Sequence, residues 1–220
     1  MRFAVTLRRA LPLGAVASLF VFVALAIDVS DDRGWIADVD RDFAELAHDG
    51  VDDRPPAIEA SKTGTRLGDT MTLFVVVSLL TVAALARGRA RLAVIVVVTA
   101  ISGALLNHAV KELVDRARPQ FADPVAVGHG PSFPSGHAMN SMIAYGSVVL
   151  VVWILHRRFA MIAAVVSAIV VAVVGVTRVT LGVHYVSDVV GGWLLGAVWL
   201  ALAVVVLGDC RTRQFARATE

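Results

Sequence analysis

Two histidines, one aspartate and three cations stand out in a chain that is otherwise mostly hydrocarbon: His137, His184, Asp188, Lys111, Arg118 and Arg178. They fall in three short stretches, KELVDRARP at Lys111 to Pro119, FPSGH at Phe133 to His137, and TRVTLGVHYVSD at Thr177 to Asp188. Charge among apolar segments is costly, so an ionisable cluster at that depth marks a functional site. His184 and Asp188 are four residues apart, which sets them on one face across a turn if a helix begins there. A carboxylate that accepts one ring N–H fixes the imidazole tautomer and leaves the other nitrogen free as an acceptor or nucleophile. His137, a second imidazole with no obvious partner in the sequence, suits a general acid working near neutral pH. Lys111, Arg118 and Arg178 together call for a multiply charged anion, and the arginine fork matches phosphate oxygens. Ser135 and Gly136 follow Pro134 at the start of an apolar run, where the free N–H groups and the dipole of a helix favour negative charge. Phosphate fits each of these parts.

The elements that must position these residues are apolar. Of 220 residues, 57% are hydrophobic and 17% charged, the formal net charge is +2, and the mean hydropathy is +0.75. Such a composition belongs to a membrane protein, and the length suits a single domain over residues 1–220. Apolar runs at about 10–27, 70–86, 92–110, 135–155, 159–176 and 189–207 are each of a length to cross a bilayer once. The predicted fold class is therefore all-α, a polytopic membrane helix bundle with about six transmembrane helices and an extracytoplasmic amphipathic helix. The first run also has features of a signal peptide, a basic flank and Ala24-Leu25-Ala26, but it is long for one and is read as a retained span. Between the first two runs lies an acidic stretch, 28–69, with twelve acidic and five basic residues. Within it Trp35, Ile36, Val39, Phe43, Leu46 and Ala47 recur at helical spacing, which predicts an amphipathic helix at the interface, packed over the bundle mouth and ended by the turn at Asp52 to Pro56.

Basic clusters orient the bundle. With six spans, the N-terminus, Arg87 to Arg91, His156 to Arg158 and the tail with Arg211, Arg213 and Arg217 share one side, which the excess of Lys and Arg makes cytoplasmic. The three chemistry-bearing stretches then lie together on the other face. An integral multi-pass protein of the cell (inner) membrane is expected, with both termini cytoplasmic. The basic residues sit in clusters at the ends of apolar runs and form no stripe, so nucleic acid is excluded as a partner. The single cysteine, Cys210, allows no internal disulfide.

The three stretches together resemble the signature of the type 2 phosphatidic acid phosphatase (PAP2) superfamily: Lys111, six residues, Arg118-Pro119; Pro134-Ser135-Gly136-His137; Arg178, five residues, His184, three residues, Asp188. The matched positions cover about 30 residues, but their order, spacing and common membrane side make the match specific, with Thr177 a departure from the usual serine before the arginine. The resemblance implies a membrane lipid phosphatase in which His184 attacks phosphorus to give a phosphohistidine and Asp188 orients the ring. It implies that His137 protonates the leaving oxygen, while Lys111, Arg118, Ser135, Gly136 and Arg178 bind the phosphoryl group. No metal or other cofactor is implied. The expected substrate is a terminal phosphate on a membrane lipid, of the undecaprenyl diphosphate, phosphatidic acid or phosphatidylglycerophosphate class, and no protein partner is specified. Two alternatives share the sequence: a lipid phosphotransferase using the same site, and a non-catalytic polytopic protein with an anion site.

Other polar residues are read as structural. His48, His108, His129 and His156 are expected to be solvated or capping groups, and Asp115 with Arg116 a local surface ion pair. Gly192 and Gly196 form a small-xxx-small pair suited to close helix contact. Trp153, Trp193 and Trp199 are expected to face lipid or the interface.

Overall fold

A computed structural model describes residues 2–31, 34–50, 54–121 and 124–217, with side chains from 12 to 205. Among them are helices and turns and no strand. The helices are α1 (Arg2–Val29), α2 (Trp35–Asp49), α3 (Pro55–Thr65), α4 (Thr70–Ala86), α5 (Ala90–Val114), α6 (Gly136–Leu155), α7 (Ala160–Thr180) and α8 (Val186–Arg217). Helix α6 is central and packs on α4, α5, α7 and α8, while α1 lies on the outer side of α8. The apolar runs form helices because a span surrounded by hydrocarbon must satisfy its backbone polar groups within itself.

Five helices are long and apolar enough to cross a membrane, and the pair Pro55–Gly68 and Thr70–Ala86, bent by 41°, raises the number to six if it counts as one span. The second predicted run matches α4, but its 17 residues fall short of the roughly 20 that a crossing needs. Counted as one span, the pair takes its extra length from α3, a helix within the acidic stretch that sequence periodicity did not predict. Its start is marked by Pro55 and Pro56 at its first positions, where a missing N–H costs nothing. Arg87 at the α4–α5 turn lies with Nη2 2.9 Å from Nε2 of His156 at the α6–α7 turn, so these two basic turns share one end of the bundle. The opposite end carries α2, α3 and the loop between α5 and α6.

The amphipathic helix forms as α2, but with a different seat. It meets α7 and α8 through Ala37, Asp40, Ala44 and His48. Its apolar stripe, Trp35, Val39, Phe43 and Leu46, is exposed, and an acidic row of Asp38, Asp42, Glu45 and Asp49 is exposed as well. In water the apolar stripe would turn inward; beside a bilayer hydrocarbon can cover it, which frees the small and polar row to meet the protein. Of the predicted terminating turn, Asp52 and Asp53 lie outside the described residues.

Three of the structural expectations change. His48 is buried and stacks on Phe121, ring centroids 4.1 Å apart. Trp199 donates from Nε1 to Ser102 Oγ at 3.1 Å, and Trp193 packs over Gly175, so both fill gaps between helices rather than face lipid; Trp153 is exposed. Arg116 is buried, while Asp115 is exposed at the αL end of α5, with φ of 46°. The Gly192 and Gly196 pair does bring helices close: a Cβ on Gly192 would sit 2.7 Å from the Ser135 carbonyl oxygen, and one on Gly196 2.9 Å from that of Met139.

That contact yields a stability prediction. Gly192→Ala forces the start of α6 away from α8 and is expected to destabilise the fold by about 1–3 kcal/mol, read as a lowered melting temperature in detergent. Gly14→Ala, where a Cβ meets nothing within 4 Å, serves as the control and leaves the melt unchanged or raised; equal melts for both variants would refute the close α6–α8 seam.

Candidate active site

Helix α8 begins at Val186, one turn before which the chain leaves α7 through a turn with Gly182 at φ of 68°. This puts His184 just ahead of α8 and Asp188 in its first turn, both buried. His184 Nδ1 lies 3.3 Å from Asp188 Oδ2. Its other nitrogen, Nε2, lies 3.1 Å from Arg118 Nη1. A guanidinium has no lone pair to offer, so Nε2 is the acceptor and Nδ1 carries the proton, which it donates to Asp188. Burial, reinforced by Arg118 and Arg178 and only partly opposed by Asp188, pushes the His184 pKa down to about 4. The ring is therefore neutral near pH 7, with its Nε2 lone pair facing cations.

Both carboxylate oxygens of Asp188 accept hydrogen bonds. Oδ2 also accepts from the Tyr185 backbone N–H at 2.9 Å, and Oδ1 accepts from Arg116 Nη1 at 2.7 Å, with the Ser132 hydroxyl 3.4 Å away. Arg116 continues outward: Nη1 donates to Ser187 Oγ at 2.7 Å and Nη2 to Asp40 Oδ2 at 2.8 Å. Asp40, from α2, also accepts from the Ser187 backbone N–H at 3.0 Å and from the Ser187 hydroxyl. The Arg116 guanidinium lies 4.3 Å from the centre of the Tyr185 ring. Burial works against its charge, yet Asp188 and Asp40 outweigh burial and hold its pKa above the ordinary arginine value. The expected surface pair with Asp115 is thus replaced by a buried bridge between two carboxylates.

The remaining predicted site residues converge from other elements. Arg118 reaches His184 from the loop after α5, held by the carbonyls of Gly130 at 2.9 Å, His129 at 3.0 Å and Val183 at 2.5 Å. Lys111, in the last turn of α5, donates to the carbonyls of Pro131 and Ser132. Arg178, in the last turn of α7, donates from Nη1 to Thr65 Oγ1 of α3 at 3.0 Å, and its buried Nε meets no acceptor among the described residues. Ser135 caps α6, its Oγ 3.5 Å from the Ala138 N–H, and its own N–H donates to the Asp188 carbonyl at 2.9 Å. Gly136 is the first residue of α6, where a Cβ would press on Asn107 Oδ1 at 3.0 Å. His137 follows and gains the partner that the sequence did not reveal: its Nε2 lies 3.1 Å from Oδ1 of Asp69, at the start of α4. His137 also lies within the electrostatic reach of Arg178 and Arg118.

Four residues at this site escaped sequence reading. Asp40 and Asp69 were submerged among twelve acidic residues of one stretch. Arg116 was read with its chain neighbour. Asn107, which donates to the Pro134 carbonyl at 3.4 Å, stands one turn before Lys111 on α5, and that i, i+4 spacing in an apolar helix was the available signal.

Comparisons with known proteins show which chains this one is similar to. Phosphatidylglycerophosphatase B of Bacillus subtilis (strain 168) is 40% identical over 96 residues, 42% of this chain and 46% of that protein. Lipid A 1-phosphatase of Rhizobium johnstonii is 31% identical over 121 residues, 51% of this chain and 46% of that protein. The chain thus spans about half the length of the curated relatives it matches. Among solved structures, a transmembrane PAP2-type phosphatidylglycerolphosphate phosphatase from Bacillus subtilis superposes with a TM-score of 0.80 at 25% identity, over 89% of this chain and 96% of that one. LpxE from Aquifex aeolicus shares the fold, with a TM-score of 0.59 at 18% identity over 76% of this chain and 94% of that one. The sequence model of the PAP2 superfamily matches residues 91–211, a region that takes in Lys111, Arg118, the Ser135 to His137 turn, Arg178, His184 and Asp188, and by that match the chain belongs to the PAP2 superfamily.

Proposed function

We propose that this protein hydrolyses a terminal phosphate from a membrane lipid phosphate or diphosphate through a phosphohistidine intermediate. The observation that carries the reading is the forced tautomer of His184: Nδ1–H toward Asp188 and the Nε2 lone pair toward Arg118. A neutral imidazole so held is a nucleophile whose charge, as it develops, meets a carboxylate. A phosphoryl group entering between Nε2 and Arg118 takes over the guanidinium, and Arg178 and Lys111 face the other oxygens, with Ser135 and the Gly136 N–H at the start of α6. Nε2 forms the bond to phosphorus as the bond to the lipid oxygen breaks. His137 delivers its proton to that oxygen. It then takes a proton from the water that attacks the phosphohistidine, and inorganic phosphate leaves. Asp69, 3.1 Å from His137 Nε2, is placed to offset the charge of the ring whenever it is protonated. The carboxylates nearest the nucleophile are already bound by arginine and imidazole, which leaves the chemistry to the histidines.

The names borne by the relatives support the phosphatidylglycerophosphate class and, at lower identity, a phosphorylated lipid A. Phosphatidic acid and undecaprenyl diphosphate present the same terminal group. In our reading the protein lies in the inner membrane with the site on the extracytoplasmic face and both termini cytoplasmic. The basic turns at Arg87 to Arg91 and His156 to Arg158 support that orientation.

Three expected outcomes follow from this chemistry. In phosphate release from vesicles containing phosphatidylglycerophosphate, assayed in EDTA, His184→Ala reduces turnover to background, and His137→Ala lowers kcat by about 10²–10⁴; substantial turnover by a folded His184→Ala protein would sink the assignment. The pH profile follows from the depressed pKa of His184. Its folded value near 4 lies below the value of about 6.5 for an unfolded histidine, so the neutral nucleophile persists as pH falls through 6.5 and protonates only toward 4. The acid limb of kcat/KM is therefore expected below pH 6.5. Folding stability contributed by the neutral ring is full above pH 6.5 and lost as pH falls toward 4. An acid limb at or above 6.5 would contradict the buried ring. For orientation, in a Cys210→Ser background, Val127→Cys reacts with a membrane-impermeant thiol reagent in intact cells and Ala90→Cys does not; the reverse pattern would invert the protein.

A further inference from the structure

We propose that Asp40, on α2 and outside the segment matched to the PAP2 superfamily, is a positioning residue for the nucleophile, acting through Arg116 on Asp188 and thence on His184. The inference rests on the reading of His184 as nucleophile and assigns it a support that no site motif contains.

The geometry is a continuous chain of buried bonds. Asp40 accepts from Arg116 Nη2 at 2.8 Å, Arg116 Nη1 donates to Asp188 Oδ1 at 2.7 Å, and Asp188 Oδ2 accepts from His184 at 3.3 Å. The side chains of Asp40, Arg116, Asp188 and His184 are 3%, 4%, 0% and 3% exposed, so water screens none of these contacts. Ser187 locks the chain sideways, because its backbone N–H and hydroxyl both donate to Asp40 while its oxygen accepts from Arg116. The platform is held on its other side too, since α2 meets α7 and α8 and its His48 stacks on Phe121 of the loop after α5.

Charge gives the chain its consequence. Asp40, Arg116 and Asp188 sum to one negative charge around a neutral ring. When His184 becomes cationic on phosphorylation, the four groups together become neutral. Arg116 alone beside Asp188 would cancel the carboxylate that the cationic ring needs; Asp40 offsets Arg116 so that Asp188 keeps its effect. The other groups facing His184 are Arg118 from the loop after α5 and Arg178 from α7, which act against its charge. Lys111 from α5 acts on Asp188, and Tyr185 lies against Arg116. On α6, His137 is paired with Asp69.

The two ends of the pair therefore move the nucleophile in opposite directions. Asp40→Asn leaves the site one charge more positive, and Arg116→Gln leaves it one charge more negative. In the phosphatidylglycerophosphate vesicle assay, normalised to folded protein by size-exclusion chromatography, Asp40→Asn is expected to lower kcat about tenfold to a hundredfold with KM within about twofold, and to move the acid limb of kcat/KM downward. Arg116→Gln is expected to move the same limb upward. Asp40→Glu restores part of kcat, and Asp40→Asn adds little to Arg116→Gln, because neighbours in one network are non-additive. If Asp40→Asn or Arg116→Gln does not fold, Ser187→Ala decides, with a smaller loss of kcat at unchanged KM expected. Wild-type kcat and pH limb in the folded Asp40→Asn protein, or in Ser187→Ala where that variant decides, would overturn the proposal, as would limbs that shift in the same direction for Asp40→Asn and Arg116→Gln. His184→Ala in the same assay separates the two readings: turnover there defeats the phosphohistidine reading, whereas a silent His184→Ala beside an unaltered Asp40→Asn defeats the Asp40 inference alone.

Discussion

A carboxylate with no exposed surface, Asp188, is the constraint on which the rest of the structure depends. An ion in that position loses several kcal/mol of hydration, and only close counter-charge and filled lone pairs offset the loss. The side-chain bonds to Asp188 come from Arg116, 72 positions away after α5, and from the neighbouring Tyr185 N–H and His184 just ahead of α8. Its backbone carbonyl also takes the N–H of Ser135. Each of these partners belongs to the site. The contacts that satisfy the buried carboxylate are therefore the same ones that bring together the loops proposed to bind phosphate.

The cations at the site are built into the fold as well as available to a ligand. Arg118 and Lys111 hold the 129–132 carbonyls, so the loop that carries Ser135 and Gly136 is anchored by the groups proposed to bind phosphate. Neutral carbonyl acceptors are weaker partners than phosphoryl oxygens. Apart from these cations, the loop is also held by Asn107 and by the Ser132 N–H bond to the Arg116 carbonyl.

The polar segment between the first two spans does more than connect them. Helix α2 brings Asp40 to Arg116, α3 brings Thr65 to Arg178, and the residue that opens α4 brings Asp69 to His137. Each of the three thus supplies an acceptor to one of the basic groups of the site. A bilayer makes this arrangement possible, because the apolar stripe of α2 can face hydrocarbon while its polar row turns to the protein.

The candidate site was legible in the order of residues because its core is local: His184 and Asp188 are one helical turn apart, Ser135 and Gly136 open an apolar run, and the basic turns share one end of the bundle. Long apolar helices were equally legible, since hydrocarbon leaves the backbone no other means of satisfying its polar groups. Partner choice over long separations was not. Arg116 beside Asp115 reads as a surface pair until the αL residue at 115 turns it inward to residues 76 and 72 positions away. In sequence, nothing separates Asp40 and Asp69 from the ten other acidic residues of the same stretch. The face that α2 presents to the bundle also runs against its periodicity, because the spacing of apolar residues along a helix tells which side avoids water and cannot say whether protein or lipid covers it. Sequence determined which groups are present and which helices carry them; tertiary structure alone decided which acceptor each buried cation would meet, since that depends on where unlike helices come within three ångströms of one another.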